Sequence, residues 1–119
     1  MRALALLVLL AHPAVAEEGA TLFRLHCSSC HAIEPGAPAG AGPNLEGLAA
    51  RGVAGDAVFD YSPALQAGRE AGRRWDAASL RAFMADPDEA FPGSWMSPAG
   101  PATAAPRDAI ARFLMGEGG

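Results

Sequence analysis

The five residues Cys27-Ser28-Ser29-Cys30-His31 constrain this chain more than any other stretch. Two cysteines three apart with a histidine directly behind them are the arrangement that covalent attachment of a c-type haem requires. On one helical turn both thiols reach the two vinyl groups of a porphyrin, and the adjacent imidazole reaches the iron. Cys27 and Cys30 are the only cysteines in 119 residues, so no other thiol competes for either. Two other chemistries share the spacing. A thioredoxin-like redox pair also uses Cys-x-x-Cys, but that fold needs strands, and nothing nearby alternates as a strand does. Structural zinc takes four ligands; only His26 stands close enough in sequence to join, and no second Cys/His pair follows.

A chain of this length forms one domain, and its core is marginal on its own scale. A large buried apolar cofactor supplies interior that the polypeptide lacks, so the haem-free chain is expected to fold poorly. The first sixteen residues have the form of an export signal: Arg2, an apolar run from Ala3 to Ala11, then Ala14-Val15-Ala16 as a cleavage site. That run is too short to span a bilayer, although an uncleaved anchor is the alternative. The expected division is a cleaved signal over 1–16 and a single domain over 17–119. Export points to a bacterial periplasm, where the two thiols risk forming a disulfide until haem captures them. Without Arg2 the chain has eight arginines, no lysine and thirteen acids, a net charge near −5. Haem propionates make it more negative. Such a surface disfavours nucleic acid or anionic lipid as partner.

Phe23, Cys27 and Cys30 recur at helical spacing, which predicts a first helix over 17–31 with all three on one face. Gly19, two turns before Cys27, permits close approach of another backbone. Residues 32–43 are rich in Gly, Pro and Ala without periodicity and read as a loop ending in Gly42-Pro43-Asn44-Leu45. The Pro43 carbonyl is placed to accept the Nδ1 proton of His31, fixing the tautomer and raising ring basicity; without that context the stretch is an ordinary turn. Leu45 and Leu48 are candidates to close the same side of a pocket. Arg51, Tyr61 and Trp75 carry the donors that buried propionates need, the plain alternative being an exposed arginine and two core aromatics. A short helix is expected within 62–72. Asp76–Asp86 reads as the clearest central helix, N-capped by Asp76, striped by Leu80, Phe83 and Met84, and stopped by Pro87. Met84 on that stripe is core. Met96, isolated in the irregular loop 91–98, has no packing reason to be there and is the better second iron ligand. A last helix begins at Thr103 or Ala105, buries Ile110, Phe113 and Leu114, and ends at Gly116. It is expected to cross the first helix with Phe113 near Gly19.

In these residues the chain resembles the class I cytochromes c, of the bacterial and mitochondrial type with His/Met ligation. The resemblance runs over essentially the whole mature chain. It includes Gly19 and Phe23 before CSSCH, GPNL at 42–45, Arg51, FDYS at 59–62, Trp75, Leu80, Pro87, PGSWM at 92–96 and the final helix. It implies an all-α fold in which N- and C-terminal helices cross, with short helices and loops wrapped around one covalent haem c. By resemblance His31 is the proximal ligand and Met96 the distal one, Pro43 holds His31, and Arg51, Tyr61 and Trp75 surround the propionates. Four positions depart from the mitochondrial pattern: Ala50 replaces a glycine, Leu65 an asparagine, Phe83 a tyrosine that contacts the methionine sulfur, and Pro98 an aromatic over the haem edge. Where relatives ring the haem edge with lysines, this chain has His26, Asp88, Glu89 and Trp95. The reversal calls for a partner that is basic, or for docking that is apolar around Trp95.

The function expected is a soluble, monomeric periplasmic carrier of single electrons between respiratory or dehydrogenase partners, without bond-making chemistry and without stable membrane insertion. A haem subunit docked permanently on one periplasmic dehydrogenase is the alternative. An open-site haem enzyme or sensor ranks below both, because it requires Met96 off the iron and no distal His or Arg stands near Met96 in the sequence.

Overall fold

A computed structural model describes residues 3–5, 14–97 and 100–117. Among them are five helices and no strand: α1 (Ala14–His26), α2 (Pro63–Glu70), α3 (Ala77–Ala85), α4 (Pro87–Ala90) and α5 (Ala104–Leu114). The all-α expectation holds. One isolated antiparallel bridge, Gly52 with Arg74, ties the loop before α2 to the turn after it.

Packing of α1 on α5 is the principal helix contact, and α3 closes on α5 from the other side. Gly19 permits the first of these. A Cβ built there would stand 2.5 Å from the Ala109 carbonyl oxygen and 2.6 Å from the Phe113 Cβ. Phe23 then meets Phe113 with ring centroids 5.9 Å apart. Around this crossing Phe23, Leu48, Leu80, Met84, Ile110 and Ala111 form one buried cluster. Val53, Ala54, Tyr61, Phe83 and Phe91 form a second. Trp75 packs against both and joins them.

α3 forms where its cap dictates. The Asp76 carboxylate accepts from the Ser79 N–H at 2.7 Å, and the Ser79 hydroxyl accepts from the Asp76 N–H at 2.9 Å. The two bonds satisfy orphan donors at each end of the first turn. Arg81 links α3 to Asp108 of α5 at 2.6 Å.

Three boundaries differ from the sequence reading. α1 begins at Ala14, before the expected residue 17. It ends at His26 rather than 31: the Ser28 N–H bonds the Phe23 carbonyl at 3.2 Å instead of its helical partner, and the Ser28 hydroxyl takes the Arg24 carbonyl. Cys27–Cys30 are instead a tightened turn, with the N–H groups of Cys30 and His31 both bonded to the Cys27 carbonyl. Third, Pro87 does not only stop α3. Asp86 caps a further single turn, α4, which Pro87 opens; one turn has no period to read.

Gly19→Ala should destabilise the haem-loaded protein by about 1–3 kcal/mol, since the new methyl meets backbone and a Cβ rather than a movable side-chain tip; denaturant unfolding measures it. The Ser79 backbone and hydroxyl bonds hold the Asp76 carboxyl below its usual 3.8. A depressed folded value means that this cap's stabilisation is complete above about pH 4 and lost as pH falls further. Asp76→Asn should therefore flatten the acid limb of the thermal stability profile.

Candidate functional site

The end of α1 and the loops after it enclose a cavity of about 380 Å³ with mainly apolar walls, within the roughly 300–1,000 Å³ of small-molecule and cofactor sites. All eight residues singled out in the sequence line it. Cys27 and Cys30 are unpaired, half-buried thiols on its wall. Burial, with Cys30 alongside, pushes the Cys27 thiol up to about 11. It is therefore neutral at physiological pH, which slows its oxidation to a disulfide.

His31 Nδ1 lies 2.8 Å from the Pro43 carbonyl oxygen. A carbonyl only accepts, so Nδ1 carries the ring proton and Nε2 keeps its lone pair. Burial holds the imidazole below its usual 6.5, against the pull of the Pro43 bond. The ring is thus a neutral base with one free nitrogen, as metal ligation requires. Gly42 shapes the approach: a Cβ there would lie 2.6 Å from His31 Nδ1.

Asn44 organises this loop, a role that the sequence reading missed. Its side-chain amide donates to the carbonyls of Glu34 at 2.8 Å and Ala37 at 3.1 Å, and its Oδ1 accepts from the Glu46 N–H at 2.8 Å. Arg51 donates to the Asn44 carbonyl at 2.7 Å. The sequence signal was an asparagine directly behind Gly-Pro, a residue suited to bonding backbone on both sides of a turn.

Arg51 lines the same cavity, and its Nε is buried with no partner. A buried guanidinium N–H without an acceptor is costly, and a carboxylate of the cofactor fits it. Tyr61 accepts from the Asp56 N–H at 3.1 Å, which leaves its own proton to donate. Burial pushes the phenol up, against that bond and the Arg51 charge, so it stays a neutral donor. Trp75 lines the same cavity while packing on Phe83 and Phe91 at 5.3 and 5.6 Å, so it serves the core as well. Phe59 and Leu65 add apolar wall there.

The two methionines separate as their positions suggested. Met84 is buried in the core cluster of α3, whereas Met96 is half-buried in a loop against the second cluster. Both touch the cavity. Trp95 lies at its mouth and is 62 % exposed, so it does not pack away on its own loop. Pro98, one of the four departures from the mitochondrial pattern, lies outside the described residues, as does most of 1–16. The zinc alternative finds no support: among the described residues no group of three or more His, Cys, Asp or Glu is placed to hold an ion.

Two thiols, a neutral imidazole with one free nitrogen, a thioether and a propionate-sized donor set around an apolar slot define a protein that holds a covalent haem. The "Cytochrome c" family model matches residues 16–116. Cytochrome c2 of Rhodoblastus acidophilus is 37 % identical over 90 residues, 76 % of this chain and 81 % of that protein. Cytochrome c2 of Agrobacterium tumefaciens is 39 % identical over 74 residues, covering 62 % and 67 %. Cytochrome c of Kluyveromyces lactis is 28 % identical over 99 residues, covering 83 % and 87 %. The chain belongs to the cytochrome c family. It has the class I fold, carries one haem c, and works as an electron-transfer protein rather than an enzyme.

Gly42→Ala should push the His31 ring off the Pro43 carbonyl. The expected result is lower yield of haem-loaded protein and a perturbed ferric spectrum, read by absorption after matched expression.

Proposed function

We propose that the chain is a periplasmic carrier of single electrons, exported by residues 1–16, in which His31 and Met96 are the axial ligands of the haem iron. Cys27 and Cys30 form the two thioether bonds. The carrying observation is His31 Nδ1 bonded to Pro43 in a cavity also lined by Met96, a neutral nitrogen and a thioether sharing one slot. A haem held by Cys27, Cys30, His31 and Met96 would supply one-electron chemistry at its iron. Pro43 orients the proximal ring. Arg51, with its unpartnered Nε, and Tyr61, with its free proton, take the propionates, and Trp75 walls that end. Phe83 and Leu65 are apolar wall; excluding water favours the reduced, less charged iron, and the hydrogen bonds they cannot donate pull the other way.

No helix among the described residues is long and apolar enough to cross a membrane. The physiological partners are redox proteins of the periplasm and its bordering membrane. A second reading, a haem subunit docked permanently on one dehydrogenase, draws on the exposed Trp95; stoichiometric copurification would favour it.

Absorption spectra of the periplasmically expressed protein test the assignment. Covalent haem and the weak near-infrared band of a ferric iron–methionine bond are expected. Met96→Ala should lose that band, bind added cyanide or imidazole readily, and show a lower reduction potential. Wild-type spectrum and potential in the variant would sink the ligand assignment.

A further inference from the structure

The cavity lining sorts by charge. None of the chain's thirteen acids is part of it, and its one arginine, Arg51, is half-buried and bonded to the Asn44 carbonyl. Only six lining residues are exposed: His26, Ser29, Ala41, Gly55, Trp95 and Ser97. The exposed lining therefore carries no carboxylate or guanidinium in a chain whose formal charge is −4; the loop's neighbouring acid, Asp88, is held on the Gly93 N–H at 2.9 Å, and the largest exposed side chain of the lining is the Trp95 indole.

We infer that Trp95 anchors an uncharged docking face, and that the partner is a redox protein presenting an apolar recess to it. This rests on the electron-carrier reading above. Indoles are enriched among the few residues that dominate interface energy, since they bury much area with few rotatable bonds. Charge distinguishes the occupants. A second copy brings the same negative charge and the same convex indole. An anionic lipid surface is repelled, and a lipid cover would insulate the edge through which the electron passes. A protein recess meets neither objection. Contact without fixed charge makes the encounter slower than a steered one, and salt has no attractive charge pair at the contact to screen.

The test uses haem-loaded protein and membranes of its source organism, assayed for oxidation of the ferrous form in air and reduction of the ferric form by added quinol. The expected result is a wild-type KM that changes less than about threefold between low and high ionic strength. Trp95→Ser should raise KM about tenfold with little change in kcat, and Trp95→Phe should restore most of the loss. Spectrum and hexacyanoferrate(III) oxidation report separately that the Met96 loop remains intact; if Trp95→Ser disturbs them, the Trp95→Phe and wild-type comparison decides. A KM indifferent to Trp95, or one that climbs steeply with salt, overturns the proposal. So does a concentration-dependent dimer lost in Trp95→Ser, which would assign the face to a second copy. Trp95-dependent binding to phosphatidylcholine vesicles would assign it to lipid. Protein that hexacyanoferrate(III) oxidises but neither membrane assay turns over would remove the carrier reading itself, and this inference with it.

Discussion

The hydrogen bond from His31 to the Pro43 carbonyl is the constraint on which the site depends. An imidazole offers two nitrogens, and either can hold the proton in the neutral ring. By occupying Nδ1 the carbonyl decides the question for Nε2. A carbonyl cannot be moved without its chain, so that decision is delegated to whatever holds residues 32–45. Asn44 holds them through three bonds of its side chain, and Arg51 holds Asn44 from outside. One arginine thus steadies the loop behind the His31 ring while its Nε stays unpartnered on the cavity wall. His31 and the cavity's unpartnered donor are linked through a single side chain.

Part of this was legible because local rules and tertiary demands agree. Asp76 as a cap, the Leu80, Phe83 and Met84 stripe, and Gly19 against Phe113 all read from spacing and recur in the fold. The Pro43 carbonyl, expected as the acceptor for His31 Nδ1, is the one that bonds it. The misses have physical reasons. α1 ends where the Ser28 N–H slips to the Phe23 carbonyl and its hydroxyl takes the Arg24 carbonyl, a local rearrangement that leaves no mark on the apolar spacing. α4 is a single turn, too short for a period. Asn44 looked like a turn residue because its three partners are ten residues upstream, seven upstream and two downstream, a pattern visible only once the loop is closed.

Exposure is a different kind of quantity. Trp95 follows Gly93-Ser94 and precedes Met96, and nothing in that order says whether the indole folds under the loop or out of it. Only packing decides, and the neighbouring cluster is already filled by Phe83, Phe91 and Tyr61. Met96 takes the remaining place against it, which leaves Trp95 at the mouth.

The arginines explain why that mouth is neutral. Each one described is engaged within the molecule. Arg51, Arg69, Arg74 and Arg107 donate to backbone carbonyls, Arg73 lies over the Phe91 ring at 4.3 Å, Arg24 meets Thr21, and Arg81 and Arg112 share Asp108. A guanidinium's forked donors suit the staples on loop carbonyls better than a lysine's point charge does. With four arginines on backbone carbonyls and the other four described ones on a ring, a hydroxyl and a carboxylate, Arg51 alone reaches the cavity lining. Among the described residues only Asp108 is ion-paired, so the other acids set a negative outer field. The charge pattern of the surface thus follows from how a small, loop-rich fold satisfies its carbonyls, and the docking chemistry follows from the charge pattern.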